Sequence, residues 1–237
     1  MNWALFLIVL AGALTQTITG NGVALIAMPL LVGMMTPVDA AALVATLSFS
    51  VQIILLLRYH RQVQIGKLWR LITGAVLGIP IGVYLLTRLD RHLIITVMGI
   101  ILVGYSLYSL IAPRLPEIKN RGWAFGFGFV SGLLGGAYNT GGPPYVIWGV
   151  SQGWQSREFK GNMQLLLLFN TSIVVTTHLL AGHYHGGILQ SYVQAVPAIL
   201  LGTLIGFVLD QHINEVLFRR LVLVVLLLIG AKMLIGG

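Results

Sequence analysis

No cysteine occurs anywhere in the chain, which excludes disulfides, thiolate metal sites and thiol redox relays. Charge is almost as scarce. Charged residues fill 8% of the 237 positions and hydrophobic residues 57%, whereas a soluble domain is roughly a quarter charged. The six acidic residues, Asp39, Asp90, Glu117, Glu158, Asp210 and Glu215, all fall in or beside connectors between apolar runs. No carboxylate is left at mid-membrane depth to hold a sodium or metal ion. The chain has no HExxH, no Gly-x-Ser-x-Gly and no paired aspartates, so a membrane-embedded enzyme would lack its nucleophile, base or metal. It has no Walker motif either, and nothing implies a nucleotide drive or an ATPase subunit. No cofactor and no metal are expected.

What is present belongs in a bilayer. Mean hydropathy is +0.91 and the net charge +8, but the Lys and Arg residues sit in short connectors between apolar runs, the distribution of positive-inside topology. Nucleic acid is not an expected partner, because no separate basic domain exists to bind it. Apolar runs cover 3–35, 38–57, 68–86, 93–111, 123–151, 162–181, 190–208 and 216–235. A crossing takes about 20 residues, so six of these runs fit one crossing each. The N-terminus, Met1-Asn2-Trp3, lacks the positive start of a signal peptide, so its run is expected to be retained.

The first and fifth runs are too long for one crossing and contain helix breakers. Tyr138-Asn139-Thr140-Gly141-Gly142-Pro143-Pro144 interrupts the fifth, and Thr17-Ile18-Thr19-Gly20-Asn21-Gly22, followed by Pro29, interrupts the first. Proline removes a donor and clashes with the preceding turn, and glycine carries the largest backbone entropy cost. In hydrocarbon the freed peptide groups persist only where protein, water or a ligand pairs them. Both stretches are therefore cavity candidates, and their occurrence in both halves is the pattern of a repeat-built transporter.

Charge discriminates between topologies. Eight single crossings would put eight basic residues on the side of Arg58, Arg61, Lys67 and Arg70 and six on the other. If the first and fifth runs fold back at their breaks, the three residues Arg88, Arg91 and Lys232 face one side and the other eleven face the opposite, cytoplasmic one. The expected fold is therefore an all-α polytopic membrane protein of two five-element helical halves in an inverted repeat. Residues 1–112 form the first half, 113–121 a cytoplasmic linker and 122–237 the second half, with both termini outside. Gly74, Gly78 and Gly82 repeat 124 residues later as Ala198, Gly202 and Gly206, small-residue ridges suited to close helix packing.

With these breaks, ridges and the basic connector after the second run, essentially the whole chain resembles the sulfite exporter TauE/SafE family, also called the TSUP family of membrane transporters. Gly135-Gly136-Ala137-Tyr138-Asn139-Thr140-Gly141-Gly142-Pro143-Pro144 is the specific part of the likeness. Gly20-Asn21-Gly22 departs from the family's run of three glycines, which bears on substrate more than on fold. The resemblance implies transport, usually export, of small sulfur-containing anions such as sulfite, sulfonates or sulfoacetate, coupled to the proton gradient, in the inner membrane of a prokaryote.

The residues themselves point to an anion held by neutral donors. No Lys or Arg falls at mid-membrane depth, but half-helix N-termini present free N–H groups and about half a positive charge each. Gly20, Asn21, Gly22, Asn139, Thr140, Gly141, Gly142 and Pro143 form the expected substrate site, with Gln16 and Asn170 from neighbouring helix positions. Tyr138 and Tyr145 flank the second break as gating candidates. His178 is the candidate for proton coupling, unless the proton travels on the substrate. A passive anion channel and a non-transporting assembly subunit stay open as alternatives, and oligomeric state is not indicated.

Overall fold

The structure, a computed structural model, describes residues 3–111 and 118–236. Residues 113–117 of the expected linker, including Arg114 and Glu117, lie outside the described residues, as do both chain ends. Ten α-helices follow one another among the described residues: α1 Trp3–Thr19, α2 Val23–Val32, α3 Pro37–Tyr59, α4 Ile65–Arg88, α5 Arg91–Ile111, α6 Trp123–Tyr138, α7 Gly142–Ser151, α8 Ser156–Leu180, α9 Gly186–Leu209 and α10 Glu215–Gly236. No strand occurs among the described residues, as expected from the sequence. Five helices, α3, α4, α5, α8 and α9, are long and apolar enough to cross a membrane. The run 216–235 forms α10, whose 22 residues carry Arg219, Arg220 and Lys232 and which is not among those five.

Local chemistry sets several helix ends. Thr36 accepts a hydrogen bond from the Asp39 amide at 3.2 Å, and Pro37 occupies the first turn of α3, the usual cap followed by a residue with a preset φ. Removing the cap in Thr36→Ala is expected to cost about 1 kcal/mol. A thermal-unfolding midpoint in detergent equal to that of the wild type would show that Pro37 alone fixes this start. At the end of α2, Arg91 donates to the Val32 carbonyl at 2.7 Å, a cation placed on the negative end of a helix. α1 and α6 each end on a residue in the left-handed region, Gly20 at φ 81° and Asn139 at φ 55°.

Packing pairs α1 with α9, α4 with α6, α3 with α8 and α5 with α10, an arrangement unchanged when the first five helices are exchanged with the last five. The ridges serve this packing. A Cβ on Gly74, Gly78 or Gly82 of α4 would overlap backbone atoms of α6 at Phe125, Phe129 and Leu133. Gly128, Gly132 and Gly136 of α6 answer them, against the backbone at Leu71, Ala75 and Ile79 of α4. On α9, Gly202 lies against Leu10 and Ala13 of α1, and Gly206 against Thr17. Small residues on both helices bring the backbones close enough for dense van der Waals contact where lipid removes any hydrophobic drive.

α2 and α7 have ten residues each, about 15 Å at the α-helical rise and half of a hydrocarbon core of about 30 Å. Both are buried along nearly their whole length. Each follows its longer neighbour after three residues, so the chain carries two short interior helices whose N-termini stand inside the helix bundle.

Candidate substrate site at the starts of two interior helices

The segments between α1 and α2 and between α6 and α7 meet. The side-chain amide of Asn21 lies against the α-carbon of Gly142, so close that any Cβ there would overlap it. Residues 121 positions apart thus form one wall. The tip of α1 also touches the first turns of α8, where a Cβ on Gly20 would stand 3.4 Å from the Phe159 ring and 3.7 Å from Lys160 Cγ. The tip of α6 reaches the first turns of α3, where Asn139 Nδ2 donates to the Ala41 carbonyl at 2.7 Å.

Many polar groups here are already committed to holding the chain. Gln16 Oε1 accepts from the Val23 amide at 3.1 Å and so caps α2, while its Nε2 donates to Gln164 Oε1 at 3.1 Å. Gln164 Nε2 in turn donates to the Gly20 carbonyl at 2.8 Å. Gln16, expected as a substrate donor, has both ends engaged in this chain of bonds. Gly22 sits where a Cβ would come within 2.7 Å of the Gln16 amide nitrogen, so the turn has no room for a side chain. Near the second turn, the Ser131 hydroxyl donates to the Gly141 carbonyl, and the amides of Asn139 and Thr140 return to the carbonyls of Gly135 and Leu134.

Other donors are left over. Asn170 Oδ1 accepts from the Tyr145 hydroxyl at 3.0 Å, but Asn170 Nδ2 has no partner. Thr140 Oγ1 and Asn21 Nδ2 are likewise without partners. Thr140 is 2% exposed and Asn170 3%. A buried polar group without a partner costs roughly 1–3 kcal/mol, so three in one neighbourhood is a strong local departure from the native rule. Gly135 and Gly141 make the space for one of them, since a Cβ on either would stand 3.2 or 3.1 Å from Asn170 Nδ2. A cavity of about 240 Å³ opens beside Asn21 and Thr19, lined also by Leu25, Tyr105, Val146 and Arg219.

The remaining expected residues are placed differently. Tyr145 is fully buried and orients Asn170; Tyr138 packs into the main apolar core. Pro143 turns with Pro144 toward an apolar groove lined by Tyr105, Tyr108, Trp123 and Leu134. His178, fully buried in the last turn of α8, has its Nδ1 at 2.8 Å from His183 Nδ1, and no hydrogen bond joins it to either tip among the described residues. Ser131 and Lys160 are two site neighbours that sequence reasoning did not pick out. Lys160 was counted with the connectors, yet it is 4% exposed in the second turn of α8.

Long apolar helices in a close-packed bundle, with polar turns and unpaired donors at buried helix starts, define an integral membrane protein built around an interior polar site. The sequence profile described as sulfite exporter TauE/SafE matches residues 4–233, so the chain belongs to the sulfite exporter TauE/SafE family. It is accordingly a membrane transporter and not an enzyme. The chain is 27% identical over 239 residues to a protein of Cupriavidus necator described as a probable sulfite/organosulfonate exporter TauE, covering 95% of this chain and 90% of that one. No solved structure matches it.

Proposed function

We propose that the protein exports a small sulfur-containing anion of the sulfite, sulfonate or sulfoacetate type across the inner membrane of a prokaryote. The anion sits between the starts of α2 and α7. One observation carries the reading: Asn21 Nδ2, Thr140 Oγ1 and Asn170 Nδ2 are donors without partners around the place where the two turns touch. Each of the three can donate, as an oxyanion requires. The starts of α2 and α7 add their partial positive charge. The name of the Cupriavidus necator relative supports the sulfur chemistry.

In this reading the halves 1–112 and 122–237 form an inverted repeat joined by the linker 113–121. The symmetric packing and the equal lengths of α2 and α7 support that arrangement. The turns at Gly20–Gly22 and Asn139–Gly141 are helix breaks that fold each first element back on itself, which leaves both chain ends outside and the basic connectors in the cytoplasm. Rocking of one half against the other gives alternating access. The export draws on the electrical part of the proton gradient, since a net negative charge leaves an inside-negative cell, and His178, which lies apart from the turns, has no part in it.

The test is thermal stabilisation of the detergent-purified protein by sulfite, taurine, sulfoacetate, sulfate and acetate, since a ligand of the folded state raises its melting temperature. One sulfur anion is expected to stabilise the wild type, with Thr140→Val and Asn170→Leu shifting the response to at least about tenfold higher concentration. Variants that fold and respond as the wild type does would remove the turns from the binding site.

A further inference from the structure

A second, larger cavity of about 790 Å³ adjoins the one beside Asn21, and its wall carries Arg58, Tyr59, Ser156, Arg157, Lys160 and Asp210. Its volume is that of a small-molecule pocket, for which about 300–1,000 Å³ is typical. Three cations face one carboxylate. Lys160 Nζ lies 2.5 Å from Asp210 Oδ1, with the lysine side chain 5% and the aspartate 18% exposed. The Tyr59 hydroxyl donates to Asp210 Oδ2 at 3.4 Å. Arg58 is held over the Phe207 ring at 4.3 Å, and neither Arg58 nor Arg157 joins the ion pairs of the described residues, Lys67–Glu158, Lys160–Asp210 and His185–Asp39. The chamber therefore has an unbalanced positive charge beside a lysine that is almost fully desolvated.

Two features join this chamber to the anion site. Ser156 lines both the chamber and the 240 Å³ cavity beside Asn21. The stem of Lys160 passes within 3.7 Å of the Cβ position of Gly20, so the residue that contacts the first turn with its methylenes presents its ammonium to the chamber. The arrangement is also one-sided. The spacing of 119 residues that relates Val23 to Gly142 and Pro37 to Ser156 relates Lys160 to Ala41, and the spacing of 124 residues between the ridges relates Asp210 to Leu86. Packing common to both halves does not account for the ion pair, since its counterparts are an alanine and a leucine.

We propose that this chamber is a second anion site, a vestibule on the basic face where Arg58, Arg157 and Lys160 take the sulfonate or sulfite group before it passes Ser156 to the turns. Asp210 occupies Lys160 while the vestibule is empty. The arriving oxyanion replaces the carboxylate as the partner of the ammonium, so the buried cation stays paired, while Asp210, 18% exposed and still bonded by the Tyr59 hydroxyl, is left to water. Two exposed arginines beside the buried lysine also concentrate anions from that side. This inference rests on the proposed transport of a sulfur oxyanion.

The experiment compares uptake of labelled sulfite into inside-out and right-side-out membrane vesicles, which present opposite faces to the label. The variants are Arg157→Gln and the double variant Lys160→Gln/Asp210→Asn, which removes both members of the pair and leaves no orphan charge. Both are expected to raise the KM by about tenfold from the basic face alone, with the KM from the other face unchanged. A KM equal to that of the wild type from both faces, or raised equally from both, overturns the vestibule. Wild-type vesicles that take up no sulfite from either face remove sulfite as the substrate, and this inference with it.

Discussion

Gly78→Leu is expected to leave no folded protein in the membrane. The Cβ alone would overlap the Phe129 carbonyl oxygen and crowd the Leu133 amide. These are backbone atoms in the middle of α6, and they cannot move without moving the helix. Pushing α6 away would open the facing contacts of Gly128, Gly132 and Gly136 as well. Overpacking that a core absorbs by side-chain shifts costs about 1–3 kcal/mol; a backbone collision along a whole crossing exceeds that and reaches the range above about 5 kcal/mol that marks exceptional substitutions. Gly78→Ala already meets the collision and is expected to lower the melting temperature strongly, even though alanine favours helix by about 1 kcal/mol. Gly104→Ala in α5 supplies the control, because a Cβ there meets nothing within 4 Å. It is expected to be neutral or slightly stabilising. Equal, small shifts for the alanines at 78 and 104 would show that the close crossing of α4 and α6 does not carry the fold.

The two halves of this crossing were unequally legible in the sequence. Gly74, Gly78 and Gly82 stand at helical spacing in an otherwise apolar run, so their ridge is visible. Their partners Gly128, Gly132 and Gly136 lie in a stretch already dense in glycine, where the breakers at Asn139–Pro144 dominate and regular spacing is hard to isolate. The apolar runs predict membrane helices because hydropathy is local, and five of them are long and apolar enough to span. The approach of Asn21 to Gly142 is a contact between distant positions with no local trace. Gln16 illustrates the opposite failure: a polar residue beside a turn suggests a ligand donor, but only the position of Val23 and Gln164 reveals that both its ends are taken. Lys160 was hidden by its neighbourhood, since Arg157 and Glu158 make the segment read as an exposed connector although the helix buries the lysine one turn later.

Gly142→Ala is expected to abolish or greatly weaken anion binding while leaving the bundle folded. The new methyl group would overlap the Asn21 side-chain amide, and the three nearest atoms are all from that amide. Unlike the backbone facing Gly78, this obstacle is the end of a side chain, which can turn to another rotamer or settle slightly off one at about 0.5–1.5 kcal/mol. Asn21 is half-buried, with room toward the cavity beside Thr19 and Leu25. The fold therefore persists, but Asn21 Nδ2 leaves the place where it stands beside the start of α7. A lost hydrogen bond to a charged ligand is worth about 1.5–3 kcal/mol, or roughly ten- to a hundredfold in affinity. The double variant Gly142→Ala/Asn21→Ala separates this cause from a direct effect on the helix start. If the methyl acts by displacing Asn21, the double variant binds no worse than Asn21→Ala alone, a non-additivity expected only of residues in contact. If the two losses add, the alanine disturbs the N–H groups at the start of α7 independently, and Asn21 is not the residue through which Gly142 controls the site.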